Sequence, residues 1–586
     1  MSQTPSAGPI TSTPEIVRRP YHILFVGDLG VGDGIARPID VDKDEFAPLL
    51  ARLRPTRALA IPSPLGSGSD WEFKLTFDSL KAFEPSAIVA LISDASWRVG
   101  LRKKVVERRA GRIPREEFDR ALSSAAAADK TLAWVTQSSA AAGTSAAAPA
   151  GESVLDMVDD PSAGTRVSAD VERLAAAAGD AEKRLSGNET QQLDALSNRL
   201  DAELGKIADA VLKHPEVRAL ESAWRGLKFL VDKIDFRSGA KLSVLSSPRD
   251  AAVARFAEQV VTPSFEGLAP TPGLVVFDYP FANTPVDMEF LDSLAQQAAS
   301  LPAPVIVPVD AKFFNVKSLG LLKSLPNLVG LTDGFQFAKW KSLRDKPHSR
   351  WIAPVLGRFV LRAPHQIAGS EQVFAFQEAV AGEKDLLWGG GHLALTACAA
   401  RAFANHGWPT RMFGAEAGKI ADLPVIANPA DPKGGWGPGD LLLPDERIDE
   451  VANIGMNLLL AYRGQDKCIL MGGVTIARPV KSAERSERQA ALEISLAYQQ
   501  FSAAISAYLV DLLPSLRGVA SEEIQKRLLY GLREAMTLKD DDPEDSVLIG
   551  IGAAPDDPTR TLVQARLTPP SRIVPGGLHV DFGFVV

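Results

Sequence analysis

The sequence predicts an α/β fold made of a small α/β domain linked to a larger one with a mixed sheet, amphipathic helices and a C-terminal strand. Short apolar strands alternate with helical segments along most of the chain, which is typical of α/β sheets. A stretch of small residues interrupts this alternation early in the chain. The chain also has 586 residues, too many for one hydrophobic core.

The small domain is predicted at residues 20–120, after a polar, proline-rich and flexible N-terminus at residues 1–19. A strand is predicted at Tyr21–Val26, followed by the helix DKDEFAPLLARL and the alternating strand WEFKLTF. The stretch SAIVALISDASWRVGLRKKVVERR is predicted to be helical. Its basic part, within residues 98–115, is interpreted as the solvated face of a helix.

Residues 121–190 are predicted to form an alanine-rich linker and a helical tail. From Ala121 to Gly151 the residues are mostly alanine, serine and glycine, which offer too little apolar area to offset the cost of ordering the backbone. This composition separates the small domain from everything that follows.

The larger domain, predicted at residues 191–586, opens with two amphipathic helices. Apolar residues recur every three or four positions from Leu193 to Val211, and again from Val217 to Ile234. His214-Pro215 separates the helices, because proline lacks the N–H donor and disfavours helix in the residue before it. Predicted strands at AKLSVLSS, GLVVFDY and PVIVPVD then alternate with the helix FLDSLAQQAASL.

Charge and cysteine usage narrow the class of protein. The formal net charge is −8 without a long Lys/Arg tract, which argues against a general nucleic-acid or membrane-surface binder. Cys398 and Cys468 lie far apart beside apolar residues, which fits reduced thiols. No stretch reaches the ~18 apolar residues of a membrane helix. The protein is therefore expected to be cytoplasmic, without direct membrane insertion.

The glycine-rich stretch FVGDLGVGDG, residues 25–34, raises the alternative of a nucleotide-binding cytosolic enzyme. Gly27 and Gly32 have the G-x-x-x-x-G spacing of a phosphate cradle, but Lys and Ser/Thr do not follow. Asp28 and Asp33 would also repel a polyanion. A tight turn after a buried strand is the favoured interpretation.

The search for catalytic groups predicts no enzyme and no catalytic, cofactor-binding or metal-binding residues. None of the seven histidines forms H-E-x-x-H or a Cys/His cluster. GGGH at 389–392 resembles oxyanion-hole glycines, but the G-x-S-x-G turn of such hydrolases is missing. These glycines are interpreted as the start of the helix HLALTACAARAFANHGW against a neighbouring backbone.

Several segments in one order resemble the large subunit of the type VI secretion contractile sheath, TssC or VipB. The resemblance spans roughly residues 190–540 and rests on HPEVRALESAWRGLKFLVDKIDF, DAKFFNVKSLGLLKSLPNL, FQFAKWKSLRDKPHSRWIAPVLGRFVLRAPH, LLWGGGHLALTACAARAFANHGWPTRMFG and GKIADLPV. The residues at the centre of these motifs are Trp224, Arg225, Gly226, Phe313, Phe314, Lys339, Trp340, Arg358 and Trp388.

The N-terminal segment resembles the small sheath subunit, TssB or VipA. The segments that carry this resemblance are PYHILFVGDLG at 20–30, IDVDKDEFAPLLARLRP at 39–55 and LTFDSLKAFEPSAIV at 75–89. The chain therefore resembles a natural fusion of both sheath subunits, in which a linker fixes the stoichiometry. The extended arm that the family carries before this strand has no counterpart in residues 1–19.

The resemblance implies a structural protein of a bacterial type VI secretion system. Fused protomers would form a helical homopolymer around an inner tube of an Hcp-like protein and contract to propel it for effector delivery. Implied partners are baseplate and distal-end cap proteins, with the baseplate anchored at the membrane, and no nucleic acid. A phage-tail-like contractile particle is the related alternative.

The resemblance also implies two surfaces of assembly. The alternating residues Leu578, Val580, Phe582, Phe584 and Val586 suit a strand shared between protomers, or equally an ordinary closing strand of their own domain. SVLDMVDD at 153–160 resembles the helix that an AAA+ unfoldase reads to recycle contracted sheath, with Val154, Leu155 and Val158 on one face.

Overall fold

A computed structural model describes residues 20–32, 34–66, 70–128, 187–370, 373–427, 436–462, 464–480, 486–554, 560–577 and 579–586. The chain forms two compact units. The main unit comprises Met1–Pro55, Ala219–Ala363 and Ala381–Val586, and the second unit comprises Thr56–Arg218 and Pro364–Val380.

The helices and strands are numbered in chain order. The helices are α1 (Phe46–Leu53), α2 (Pro85–Ala90), α3 (Ser96–Arg109), α4 (Arg115–Ala128), α5 (Gly187–Leu212), α6 (Pro215–Lys233), α7 (Ala252–Phe256), α8 (Thr262–Phe265), α9 (Pro285–Ser300), α10 (Leu328–Thr332), α11 (Ala338–Arg344), α12 (Gly391–His406), α13 (Asp445–Asn453), α14 (Glu487–Glu493), α15 (Leu496–Leu516) and α16 (Ser521–Ala535). The strands are β1 (Tyr21–Gly27), β2 (Ile39–Asp40), β3 (Thr56–Ile61), β4 (Trp71–Thr76), β5 (Ala240–Ser246), β6 (Leu274–Phe277), β7 (Val305–Pro308), β8 (Ile352–Leu356), β9 (Arg358–Arg362), β10 (Gln366–Ile367), β11 (Phe376–Gln377), β12 (Leu387–Gly390), β13 (Lys419–Ile420), β14 (Ile426–Ala427), β15 (Trp436–Gly437), β16 (Asn457–Ala461), β17 (Cys468–Met471), β18 (Val547–Ala553), β19 (Thr561–Leu567) and β20 (Val580–Val585).

A nine-stranded sheet forms the centre of the main unit, in the order β13-β17-β16-β8-β7-β6-β1-β5-β2. Its six middle strands run parallel. Nearly all of their residues are buried, so both faces of the sheet are covered, as expected of an α/β fold. The predicted α/β fold class is therefore confirmed.

Strand β1 lies in the middle of this sheet. It pairs in parallel with β5 along all seven residues, from Tyr21↔Ala240 to Gly27↔Ser246, and with β6 on its other side. The strand can occupy a central position because both of its faces are apolar: Ile23, Leu24, Phe25 and Val26 are all buried. The predicted strand is thus present, but most of the strands in its sheet come more than 200 residues later in the chain. Residues 20–120 consequently do not form one compact unit, because they are divided between the two units.

Both edges of the large sheet end in two-residue strands. β2 closes one edge by pairing with Val244 and Ser243 of β5, and β13 closes the other by pairing with β17. Short edge strands offer few unpaired backbone groups to another chain. The edge strands of the large sheet therefore offer little for another chain to pair with.

The second unit contains α3, α4 and α5, whose contacts correct the interpretation of the basic helix. Arg98, Arg102 and Arg108 on α3 are each 7% exposed or less. Their guanidinium groups pair with Glu203, Asp201 and Glu189 of α5 respectively. The solvated interpretation is wrong for these three arginines, because an acidic face of α5 neutralises them.

Other local predictions are confirmed. α5 ends at Leu212 and α6 begins at Pro215, as the proline predicts, and α12 begins within GGGH. Both cysteines are buried free thiols. Among the described residues, no helix combines the length and the apolar character that crossing a membrane requires.

Candidate assembly interface

The last three strands form a separate antiparallel sheet in the order β18-β19-β20. Strand β20 contains most of the candidate inter-protomer residues, and it pairs within its own chain: Val563 lies opposite Phe584 and Leu567 opposite Val580. This intrachain pairing leaves β20 as an edge strand. It can therefore close its own domain on one side and still accept another strand on the other.

The side chains of β20 alternate as predicted, and one face of the strand packs against a hydrophobic core. Val580 is 4% exposed, and Phe582, Phe584 and Val586 are half-buried against the same apolar cluster. Helices α15 and α16 supply much of that cluster. Leu578, the remaining residue of the predicted set, lies outside the described residues.

The backbone hydrogen bonds fix which groups of β20 point outward. Val586 and Thr561 exchange both of their backbone hydrogen bonds, at 2.9 and 3.2 Å. In an antiparallel pair such exchange recurs at every second residue, so the N–H and C=O groups of Gly583 and Val585 point away from β19. Nothing in the described part of the chain hydrogen-bonds to these groups.

The predicted unfoldase-recognition residues Val154, Leu155 and Val158 lie outside the described residues. Their proposed role therefore stays a prediction.

Most of the family-motif residues lie in the interior of the main unit. Trp224 of α6 is fully buried, and its indole Nε1–H donates to the Leu29 carbonyl at 3.1 Å. Gly226, two residues further along the helix, faces Leu393 so closely that a Cβ would lie 2.8 Å from its Cδ1. This helix is therefore fitted closely against its neighbours.

A buried carboxylate accompanies this motif and was missed by the sequence analysis. Glu221 is fully buried and accepts from Arg225 Nε and Arg362 Nε, both at 2.7 Å. Burial alone would raise the pKa of Glu221, but the two arginines outweigh that effect and hold the pKa below its usual value. The available signal was the spacing of Glu221 and Arg225, four residues apart on one helix.

The aromatic motif residues form a second buried group. Phe313 and Trp340 are packed edge to face with their rings 5.1 Å apart, and Phe314 contacts Phe313 at 5.0 Å. Lys339, in contrast, lies at the surface and pairs with Glu289 at 3.0 Å. The conformation of this region is set by ring packing.

Arg358 and Trp388 contact each other directly. The guanidinium carbon of Arg358 lies 5.0 Å from the centroid of the Trp388 ring, a cation–π distance. Its Nε also donates to Asp440 at 2.7 Å, and its other end pairs with Glu383. Arg358 thus joins three segments of the main unit.

The glycine-rich turn after β1 lies where the strand order of the sheet reverses, between β1 and β6, which is the usual ligand position in open parallel sheets. Here that position is filled. Leu29 is fully buried, its N–H donates to Ser246 Oγ at 3.2 Å, and Gly30 N–H donates to Asp28 Oδ1 at 2.9 Å. Two of the amides that would cradle a phosphate are therefore bonded to the chain itself, which disfavours the nucleotide-binding alternative.

Two comparisons relate part of this chain to known sheath proteins. Residues 194–477 match the VipB family, described as the EvpB/VC_A0108 tail sheath N-terminal domain. This part of the chain resembles a tail sheath domain. The sheath-like region includes α5, α6 and most of the large sheet, together with every family-motif residue predicted from the sequence.

A curated relative supports the same assignment. The chain is 28% identical over 322 residues to the type VI secretion system sheath protein TssC1 of Pseudomonas aeruginosa. The aligned part covers 51% of this chain and 64% of the relative. The sheath-like chain therefore spans somewhat less than two thirds of that relative's length.

Proposed function

We propose that the chain is a structural protomer of a type VI secretion sheath, which polymerises helically around an inner tube and contracts to propel it. The observation that carries this proposal is the match of residues 194–477 to a tail sheath domain. The sheath protein relative and the packed interior of the family motifs support it. A role without catalysis follows from this assignment.

The fused architecture extends this proposal. In this proposal residues 20–120 take the place of the small subunit, and residues 191–586 that of the large one. The seven-residue pairing of β1 with β5 supports such a fusion, because the early segment completes the later one. The proposed partners are an Hcp-like tube protein, baseplate and cap proteins, and an AAA+ unfoldase, all met in the bacterial cytoplasm.

The proposed contact between protomers is the outer edge of β20. An added strand would bond to the outward backbone groups of Gly583 and Val585, which is β-augmentation. The alternating apolar face behind them keeps the edge strand in register.

Electron microscopy of the purified chain tests the proposed sheath function. We expect long helical tubes when salt is varied and an inner-tube protein is supplied. Discrete small particles under all of these conditions would contradict the sheath assignment.

The edge is tested separately with Val585→Pro, and Val585→Ala serves as its control. Proline removes the outward N–H without breaking the β19–β20 ladder, so tubes should be lost while the monomer stays folded. The alanine variant should assemble. Tubes from the proline variant in normal yield would move the contact elsewhere and leave the sheath assignment intact.

A further inference from the structure

One hairpin of the second unit comes from a part of the chain whose neighbouring residues lie in the main unit. Pro364–Val380 belongs to the second unit, whereas the residues before and after this range belong to the main unit. The hairpin pairs β10 with β11, and each of these strands has only two residues. Backbone pairing within the hairpin is therefore short, and other contacts must hold it in place.

Carboxylates of helix α5 hold the outer side of this hairpin. The Ala375 N–H donates to Asp201 Oδ2 at 3.0 Å. The Ala379 N–H donates to Asp209 Oδ1 at 3.3 Å. The two acids are eight residues apart on the helix (209 − 201), a rise of about 12 Å, and the two amides are four residues apart (379 − 375), about 13 Å of extended chain. The spacing of the acids on α5 therefore matches the spacing of the amides along the strand.

Arg102 of helix α3 joins the hairpin to α5. The residue is 7% exposed, and its Nε donates to Asp201 Oδ1. Its Nη2 donates to the carbonyls of Ser370 at 3.1 Å and of Val373 at 3.0 Å. These carbonyls lie at the ends of the two arms of the hairpin. One planar guanidinium group thus holds both arms and an acid of α5 at the same time.

The apolar contacts of the hairpin are separate from those that join the helices of the second unit. Phe374 and Phe376 are each 5% exposed, with their rings packed edge to face at 6.1 Å. Neither ring belongs to the buried cluster formed by α3, α4 and α5. The hairpin can therefore detach without disrupting the packing between those helices.

We propose that residues 364–370 and 373–380 form a releasable strap on helix α5, and that Arg102 holds the strap closed. Opening breaks the hydrogen bonds from α3 and α5 to the strap backbone and exposes its two phenylalanine rings, while the three helices stay packed. The strap goes beyond the proposed function, because it is a property of a single copy of the chain and requires no polymer.

Hydrogen exchange of the full chain tests whether the strap opens by itself. The amides of Ala375 and Ala379 should exchange together, and at least about tenfold faster than those of Leu196 and Leu200 in the core of α5, because local opening needs less free energy than unfolding of the unit. Equal rates for the strap and for α5 would overturn the proposal, since the strap would then open only when the whole second unit unfolds.

Arg102→Lys tests the role of the guanidinium group, and Arg98→Lys is the matched control. Lysine keeps a positive charge beside Asp201 but lacks the fork that reaches both carbonyls. Arg98 is equally buried on the same helix, and its hydrogen bonds go to Glu203 and to the Asp94 carbonyl. Arg102→Lys should therefore speed exchange of the strap amides at least about tenfold more than Arg98→Lys does. Equal effects of the two variants on the strap would overturn the role of Arg102.

Limited digestion with chymotrypsin gives a second readout, because this protease cleaves after large apolar residues. Opening exposes the peptide bonds after Phe374 and Phe376, so the folded Arg102→Lys variant should be cut there at least about tenfold faster than the Arg98→Lys variant. Mass spectrometry identifies the cut. Equal rates of cleavage would contradict the strap. Such a failure leaves the sheath assignment intact, since that assignment is decided by whether the chain forms tubes.

Discussion

The nine-stranded sheet and the C-terminal sheet of the main unit end in opposite ways. The large sheet closes both edges with two-residue strands, β2 and β13, whereas the small sheet ends in strands of seven and six residues. Short edges resist pairing with other chains and long ones permit it. The proposed assembly contact therefore lies on the small sheet and not on the large one, so substitutions should be able to affect assembly and stability separately.

Trp224→Ala should have the largest effect and should act on stability. It removes a fully buried indole and the hydrogen bond to Leu29, at a cost of about 3–5 kcal/mol in the free energy of unfolding. Chemical denaturation measures this loss. Trp224→Phe is the control and should lose less, because most of the ring volume remains; equal losses would show that ring packing is unimportant here.

Glu221→Gln should cause the next largest loss of stability. It leaves the guanidinium groups of Arg225 and Arg362 without their buried carboxylate, at a cost of about 3 kcal/mol. Urea denaturation of the two proteins at pH 7 compares their free energies of unfolding.

The pH dependence of this difference has a definite sign. Because the pKa of Glu221 is lowered in the folded protein, its stabilising contribution is complete above the ordinary glutamate pKa of about 4.3 and is lost as the pH falls through the lowered value. The stability difference between wild type and variant should therefore be constant near neutrality and shrink in acid. A difference that grows in acid would contradict the ion-pair interpretation.

Gly226→Ala should cause an intermediate loss of stability. The added Cβ would meet the flexible end of Leu393 at 2.8 Å, so the side chain must shift, at a cost of about 1–2 kcal/mol. Thermal unfolding measures the loss. Gly205→Ala is a suitable control on α5, because its Cβ would have ordinary contact with Phe376 at 3.5 Å; an equal loss there would point to backbone effects instead.

The smallest effect on stability is expected on the C-terminal sheet. Leu548 on β18 is 49% exposed, and Leu548→Ser should change the free energy of unfolding by at most about 0.5 kcal/mol. A large loss of stability measured by denaturation would show that this sheet contributes to folding as much as the large one does. The proposed difference between the two sheets would then be wrong.

The sequence predicts the local elements well and their partners poorly. The apolar run of β1, the break at Pro215 and the alternation of β20 are each determined by nearby residues, so they can be read from spacing alone. The position of β1 between β5 and β6 depends on pairings with distant residues, and no local pattern encodes them.

The roles of the candidate site residues also depend on residues that are distant in sequence. Trp224 and Gly226 could be singled out by resemblance, but their roles depend on Leu29 and Leu393, which are far away in sequence. The basic helix was misinterpreted because charged residues are usually solvated, and the compensating acids of α5 follow about a hundred residues later.

The central position of β1 has a consequence for the synthesis of the chain. Tyr21 leaves the ribosome 219 residues before its partner Ala240, as the difference 240 − 21 gives. At typical rates of translation this delay lasts about 10–40 s. During that interval an apolar strand with two unpaired edges is exposed to the cytosol, so the nascent chain should be a client of chaperones until β5 and β6 emerge.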